Sequence, residues 1–279
     1  MMLKGKLTLV PSGGLANRMR AVASAYNLCL AVGSSLEVVW FRDWGLNAAF
    51  CDIFEPVEAA HFSLREATLA DHLVNDRPRR HNLWISELPQ RLLYQRRINE
   101  RDVTPLKRQG FDFEAWARGK RCHMSCYQEF GNCPDALYAC LFRPVGAVAE
   151  RVEARTKEFS DYTIGMHIRR TDHGEAIAQS PTRLFVEAGM REAERHKDMK
   201  IYLATDDEGV KGELRQAFGG MVLTAGEAAS RGDVDGIRGG LADMYTLART
   251  RHIYGSAGST FWVMAGRIGG VPTTELRLR

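Results

Sequence analysis

The feature that most constrains the fold is the alternation of strand and helix patterns at the start of the chain. Lys6–Pro11 has the apolar character of a buried strand, and Ser12–Gly14 is a tight polar loop. From Leu15 the apolar residues recur at steps of three and four, which predicts a helix, and Leu36–Phe41 predicts the next strand. This β-loop-α-β opening is typical of a parallel, doubly wound α/β sheet.

The same alternation returns in the second half of the chain. Thr163–Ile168 predicts a strand, a polar loop runs to Ser180, and Pro181 occupies a favoured first helical position before a helix to about His196. Further strands are predicted at Lys200–Ala204, Met221–Leu223 and His252–Gly255, and further helices at Glu208–Phe218 and Ile237–Thr250. We therefore expect two domains, 1–150 and 151–279. Residues 60–120 show no pattern that specifies their fold.

Composition excludes several classes of protein. Hydrophobic residues make up 45% of the 279 residues and charged residues 26%, as in ordinary globular proteins. The net charge of +4 is too small to indicate a nucleic-acid-binding protein. The first apolar run is short for a signal peptide, and no uninterrupted apolar stretch reaches about 18 residues. Six cysteines do not form a disulfide framework in a chain of this length, so we expect a cytoplasmic location.

Polar clusters follow the predicted strands, where α/β sheets bind their ligands. The first is Ser12–Arg20, in which two glycines precede a helix whose first turns carry Arg18 and Arg20. Cations there are disfavoured by the helix dipole, and an anionic ligand would offset that cost. The alternative interpretation is a glycine turn followed by surface arginines.

The second cluster, His167–Asp172, directly follows a predicted strand. Arg169 and Arg170 present two neighbouring guanidinium groups, which suit a diphosphate through paired, charge-assisted hydrogen bonds. Asp172 could orient one of them. The alternative is a solvated salt bridge between Arg170 and Asp172.

Three further clusters have weaker signals. Asp206 and Asp207 follow a strand, and one of them is expected to cap the next helix while the other stays open between metal, ribose and structural roles. Asp243 either faces solvent or pairs with an arginine across the cleft. Gly255–Thr260 is a turn of small residues whose amides could hold phosphate oxygens, although the ending of a P-loop is absent.

Two other groups favour structural interpretations. Cys122, Cys126, Cys133 and Cys140 lack the short paired spacing of zinc sites, so buried free thiols are expected. Arg77–Arg80 and Arg96–Arg97 are interpreted as solvated faces, with a dock for an anionic acceptor or peripheral association with a membrane surface as the alternative.

Four segments together resemble the fucosyltransferase superfamily, which includes the α1,6-fucosyltransferases, the nodulation fucosyltransferases and the protein O-fucosyltransferases. They are GGLANRMRAVASA, HIRRTD, YLATDD and DMYTLARTRHIYGSAGSTF, in the family's order and spread over most of the chain. HIRRTD is the most specific of them.

The resemblance implies a GT-B-like α/β fold of two Rossmann-like domains facing across a cleft, with the acceptor side N-terminal and the nucleotide-sugar side C-terminal. It implies an inverting transfer of fucose from GDP-fucose to a glycan or glycoside hydroxyl, with no cofactor and no metal. By position, the catalytic candidates are Arg169, Arg170 and Asp172. The donor-binding candidates are Gly14, Asn17, Arg18, His167, Asp243, Ser259 and Thr260.

Other functions stay open at this point. Another nucleotide-activated sugar could be the donor, or the chain could bind a nucleotide sugar or glycan without catalysis. The general base is Asp172, Glu175 or neither, because an oxocarbenium-like centre needs little activation of the nucleophile. A phosphotransferase is disfavoured because a P-loop is missing.

Overall fold

The computed structural model describes residues 5–170, 174–226 and 232–278. The chain forms two compact units, Met1–Arg143 and Pro144–Arg279, and each contains one five-stranded sheet. All pairings within both sheets are parallel. The predicted α/β fold with two Rossmann-like domains is confirmed. Among the described helices, none has the length and apolar character needed to cross a bilayer.

The first unit has the strand order β3-β2-β1-β5-β4. Its strands are Lys6–Pro11 (β1), Ser35–Trp40 (β2), Phe62–Glu66 (β3), Arg96–Ile98 (β4) and Arg121–Cys126 (β5). Its helices are Leu15–Val32 (α1), Leu69–Val74 (α2), Glu87–Leu93 (α3), Glu100–Arg108 (α4), Phe113–Ala117 (α5) and Ala136–Leu141 (α6). Short 3-10 turns occur at Phe50–Asp52 and Arg80–Asn82.

The second unit has the strand order β10-β9-β6-β7-β8. Its strands are Thr163–Ile168 (β6), Lys200–Thr205 (β7), Val222–Thr224 (β8), Ile253–Ser256 (β9) and Thr273–Leu276 (β10). Its helices are Gly146–Thr156 (α7), Gly174–Gln179 (α8), Thr182–Arg195 (α9), Glu208–Phe218 (α10), Val234–Leu247 (α11) and Thr260–Gly269 (α12), and a 3-10 turn lies at Gly219–Met221.

The boundary between the units lies at 143/144 rather than at the expected 150/151. The expected position falls inside α7, which packs along α11 and therefore belongs to the second unit. Arg155 of α7 donates hydrogen bonds to the Gly239 carbonyl and to Asp243 of α11. These contacts place the whole of α7 with the second sheet.

Several local predictions differ from the structure. The expected polar loop before Ser180 contains α8, and Pro181 is the N-cap of α9 rather than its first helical residue. Strand β10 was not expected from the sequence. On α1 the apolar side chains of Met19, Val22 and Tyr26 are buried, but Leu30 is exposed. The helix ends at Val32, and Gly33 turns the chain with a left-handed φ of 63°.

His123 in β5 makes the stability of the first unit sensitive to pH. It is completely buried, and its Nε2 donates to the Asn75 carbonyl at 2.9 Å. Burial lowers the pKa of this imidazole to about 4. Because the unfolded chain binds a proton at the ordinary pKa near 6.5, unfolding takes up a proton between those values, and stability falls as the pH falls through this window.

We expect His123→Gln to flatten this acid dependence, since glutamine keeps an N–H for Asn75 but does not titrate. The slope of the free energy of unfolding should decrease by about 1 kcal/mol per pH unit between roughly pH 6 and pH 4.5. Urea denaturation at several pH values measures it. An unchanged slope would show that His123 is already charged in the folded protein.

Candidate functional site

The polar residues of the second unit gather at the carboxyl edge of its sheet. Arg169 and Arg170 follow β6, Asp206 follows β7, and Ser256 ends β9. These three strands are neighbours and parallel, so their ends lie side by side. Residues 167–170, 205–207 and 255–260 therefore meet in one place.

Asp206 positions both arginines. Its Oδ1 accepts from the Arg170 backbone N–H at 2.9 Å, and its Oδ2 lies 3.4 Å from an Arg169 terminal nitrogen. The Arg169 backbone N–H donates to the Ser256 hydroxyl at 3.1 Å, which links β6 to β9. The Arg169 side chain is 20% exposed. A guanidinium is thus held at the sheet edge with part of its surface accessible.

Arg170 has a different environment. One terminal nitrogen donates to the Arg169 carbonyl at 2.9 Å, and the other donates to the Ser180 carbonyl and the Thr182 hydroxyl. Burial lowers its pKa, but an arginine stays protonated in proteins. Arg170 therefore connects the segment after β6 to the start of α9. The Arg170 guanidinium donates hydrogen bonds within the fold, whereas the Arg169 guanidinium pairs with Asp206.

His167, on the same face of β6 as Arg169, is neutral. Its ring is buried and stacks on Phe261 of α12, with ring centroids 4.7 Å apart. Burial, and then the charge of Arg169, lower its pKa to about 3. Its buried Nδ1 has no hydrogen-bond partner within the described residues. The imidazole therefore contributes an apolar surface and an unused acceptor or donor, not a positive charge.

The turn after β9 brings a helix N-terminus to the same edge. The Ser256 carbonyl accepts a hydrogen bond from the Trp262 indole N–H at 2.8 Å, and the Ala257 N–H donates to the Ser180 hydroxyl. A Cβ at Gly255 would lie 2.2 Å from Trp262 ring atoms, so only glycine fits there. Ser259 is the buried N-cap of α12, and its side chain makes no capping hydrogen bond. Thr260 begins the helix, whose first amides lack intrahelical acceptors.

The two neighbouring aspartates have separate functions. Asp207 is the N-cap of α10, and its Oδ1 accepts from the Val210 N–H at 2.9 Å. The prediction that one carboxylate is a cap is confirmed. Asp206 is the other, and it pairs with Arg169.

Asp243 is buried and pairs with an arginine of its own unit. Its Oδ1 accepts from the Tyr202 hydroxyl and from Arg155 at 3.2 Å. The predicted environments were solvent and an arginine across the cleft, and the structure shows neither, because Arg155 belongs to the same unit as Asp243. Beside this group lies a cavity of about 360 Å³, lined by α7, Tyr202, β8 and Ala225–Gly226.

In the first unit the Arg18 guanidinium is bonded to the loops that follow β1 and β2. It is completely buried, and it donates to the Gly13 and Phe41 carbonyls and to Asp43. Burial lowers its pKa to about 10. The structure therefore supports neither a surface arginine nor a guanidinium open to a ligand. Of the other two candidates, Gly14 is the N-cap of α1 and the Asn17 amide oxygen accepts from Arg20.

Sequence reasoning missed a network at the carboxyl edge of the first sheet. Arg77 is buried and bridges Asp43 at 3.3 Å and Glu100 at 3.2 Å. Glu100 also accepts the Ser12 hydroxyl at 2.5 Å. The interpretation of Arg77 as part of a solvated face is wrong, because two carboxylates 34 and 23 residues away enclose it. No local sequence pattern signals partners this distant.

The cysteines are free thiols. Burial raises the pKa of Cys122 to about 11 and that of Cys126 to about 12, and Cys133 is buried as well, but Cys140 is exposed. Within residues 5–170, 174–226 and 232–278, no three His, Cys, Asp or Glu side chains form a group that could hold a metal ion. Asp172 and the side chain of Glu175 lie outside what the structure describes.

Comparison with known proteins finds relatives only through structure. No protein-family profile matches the sequence, and no curated protein matches it. The NodZ α1,6-fucosyltransferase, from a crystal soaked with GDP-fucose, matches with a TM-score of 0.67 at 18% identity, over 97% of this chain and 94% of that chain. The chain has the fold of a fucosyltransferase.

Two further structures agree with this fold. POFUT1 in complex with GDP-fucose matches with a TM-score of 0.60 at 9% identity, over 99% of both chains. A mutant of Arabidopsis thaliana FUT1 in complex with GDP matches with a TM-score of 0.62 at 15% identity, over 97% of this chain and 70% of that one. The resemblance inferred from short motifs is therefore matched by the architecture of almost the whole chain.

We expect Arg170→Ala to destabilise the second unit, because the Ser180 carbonyl and the Thr182 hydroxyl lose a charged donor. The free energy of unfolding should fall by about 2 kcal/mol. Urea denaturation measures the loss, with Arg249→Ala as the control: Arg249 is half-exposed and pairs with Glu153 at the opposite end of the sheet. Equal stability of Arg170→Ala and the control would contradict a structural function for Arg170.

Proposed function

We propose that this chain is a glycosyltransferase that moves fucose from GDP-fucose to a hydroxyl of a glycan or glycoside, with inversion and without a metal. One observation carries the proposal: Arg169 is held by Asp206 at the carboxyl edge of the second sheet, beside the N-terminus of α12. The fold shared with fucosyltransferases solved with GDP-fucose or GDP supports this choice of donor.

Arg169 is the group that we assign to the donor diphosphate. A guanidinium binds phosphate oxygens with two parallel hydrogen bonds, and its side chain is partly exposed here. The amides of the first turn of α12, with Ser259 and Thr260, supply further donors from the same edge. Arg170 then acts as a positioning residue, which fixes the backbone from which Arg169 extends.

These groups suit the charge that develops during transfer. The bond between the sugar and the diphosphate breaks, and its electron pair goes to the diphosphate oxygen. A fixed cation and fixed amides stabilise that charge without reorganisation. The acceptor oxygen attacks the opposite face of the sugar, which inverts its configuration, and its proton passes to solvent or to a carboxylate. Asp172 and Glu175 are the carboxylates proposed for that step.

The nucleoside end of the donor is assigned to the cavity beside Asp243. Arg155 lines this cavity, and its guanidinium is oriented by Asp243 and by the Gly239 carbonyl. A cavity of about 360 Å³ bordered by Ala225 and Gly226 beyond β8 offers backbone groups to a base and a cation to its hydroxyls or phosphates. Asp243 thus acts through Arg155.

Arg169→Ala tests the assignment of the diphosphate. We expect GDP release from GDP-fucose, with water or an added glycan as acceptor, to slow by roughly 100-fold or more. Circular dichroism should show an intact fold, because the Arg169 side chain is partly exposed at the edge of the sheet. Arg249→Ala is the matched control, since it removes an ion-paired arginine of the same unit far from the edge. A folded Arg169→Ala protein with wild-type turnover would refute the mechanism.

The donor is tested by thermal unfolding in the presence of nucleotide sugars. GDP-fucose should raise the midpoint, by mass action on the folded state, more than GDP-mannose or UDP-sugars do. A larger shift of the midpoint with another nucleotide sugar would identify that compound, instead of GDP-fucose, as the donor. A shift with GDP-fucose but no release of GDP in single-turnover experiments with a panel of glycan acceptors would indicate a binding protein instead of an enzyme.

A further inference from the structure

Exposed apolar side chains are concentrated in one part of the first unit, residues 69–93, which we call the apolar segment. Fifteen large hydrophobic side chains are exposed in the described chain, and eight of them lie in these 25 residues. Scattered single exposures are normal, but a dense group of this kind indicates a surface that contacts something apolar.

The two helices of the apolar segment each expose one leucine face. Leu69 and Leu73 are one turn apart on α2, and Leu88 and Leu92 are one turn apart on α3, so each pair lies on a single face. Leu69 is 89% exposed and Leu92 is 81% exposed. Both helices therefore carry their apolar side chains toward solvent instead of toward the sheet.

The turn between the helices exposes three consecutive apolar residues, Leu83, Trp84 and Ile85. Leu83 and Trp84 have φ values of 50° and 59°, a left-handed conformation that bulky residues rarely adopt. The turn is held from within by Asn82, whose amide donates to Asp76 and to the Arg77 carbonyl. The fold thus maintains an unfavourable backbone conformation that displays a tryptophan and two aliphatic side chains.

The charge around this surface is positive. Arg80, Arg91 and Arg101 are exposed in and next to the apolar segment, whereas Arg77 is buried between Asp43 and Glu100 and adds no charge to the surface. Two carboxylates of the segment, Asp71 and Asp76, are buried. Arg91 is exposed, and the Arg101 guanidinium lies 4.7 Å from the centre of the Trp84 ring.

We propose that the apolar segment docks this protein onto an anionic lipid bilayer. Leucine and tryptophan side chains with arginines at their border are the composition of surfaces that insert into the boundary between lipid head groups and acyl chains. The exposed arginines complement negative head groups, and the charges of the buried Asp71 and Asp76 are offset by their ion pairs with Arg65 and Arg79.

The apolar contribution is tested by flotation of the full chain with vesicles of phosphatidylcholine, with or without about one third phosphatidylglycerol. We expect binding to the anionic vesicles and roughly tenfold weaker binding by Leu88→Ser/Leu92→Ser. The control is Leu30→Ser/Met190→Ser, which changes two exposed side chains outside the segment, at 47% and 44% exposure, and should bind as the wild type does.

The electrostatic contribution has a closely matched pair of variants. Arg91 and Arg118 are both 61% exposed, and each pairs with a glutamate four residues earlier, but only Arg91 lies in the apolar segment. Arg91→Ala should weaken binding to anionic vesicles roughly fivefold, and Arg118→Ala should leave it unchanged.

The proposal is overturned if neutral and anionic vesicles bind equally, or if neither binds. Equal losses in the segment variants and their controls also overturn it. Sedimentation of the wild type identifies the main competing occupant: a concentration-dependent dimer that Leu88→Ser/Leu92→Ser abolishes, without vesicle binding, would assign the surface to a second copy of the chain.

Discussion

The ion pair between Arg169 and Asp206 is the interaction on which the candidate site depends. A cation near the N-terminus of a helix is disfavoured, and α12 begins at this edge of the sheet. Asp206 compensates that cost in the free protein and also holds the Arg170 backbone. One carboxylate thus fixes the Arg169 side chain and the Arg170 backbone together.

The two adjacent arginines after β6 have side chains with different partners. Arg169 directly follows β6, and its side chain pairs with Asp206 at the end of β7. Arg170 points the other way, toward Ser180 and Thr182 at the start of α9. Alternation along the sequence already separates Arg169 from Arg170, which begins the loop, but only the structure shows that the Arg170 guanidinium is bonded within the fold.

Regular elements were predictable because their signals are local. The predicted bounds of β1, β6 and α10 agree with the structure to the residue. Residues 60–120 were not predictable, since β4 has only three residues and the buried polar groups there are satisfied over long distances, as with Arg77 and Glu100. The pairing of Asp206 with Arg169 was not predictable for the same reason: it depends on β6 and β7 being neighbours in the sheet.

The network at the edge of the first sheet contains two guanidinium groups, Arg18 and Arg77, and two carboxylates, Asp43 and Glu100. Equal numbers of opposite charges packed this closely nearly cancel one another at a distance. Each of these charges lies within ion-pair distance of an opposite charge. Loss of Asp43 would leave the fully buried Arg18 without its carboxylate partner, which is the costly change at a buried ion pair.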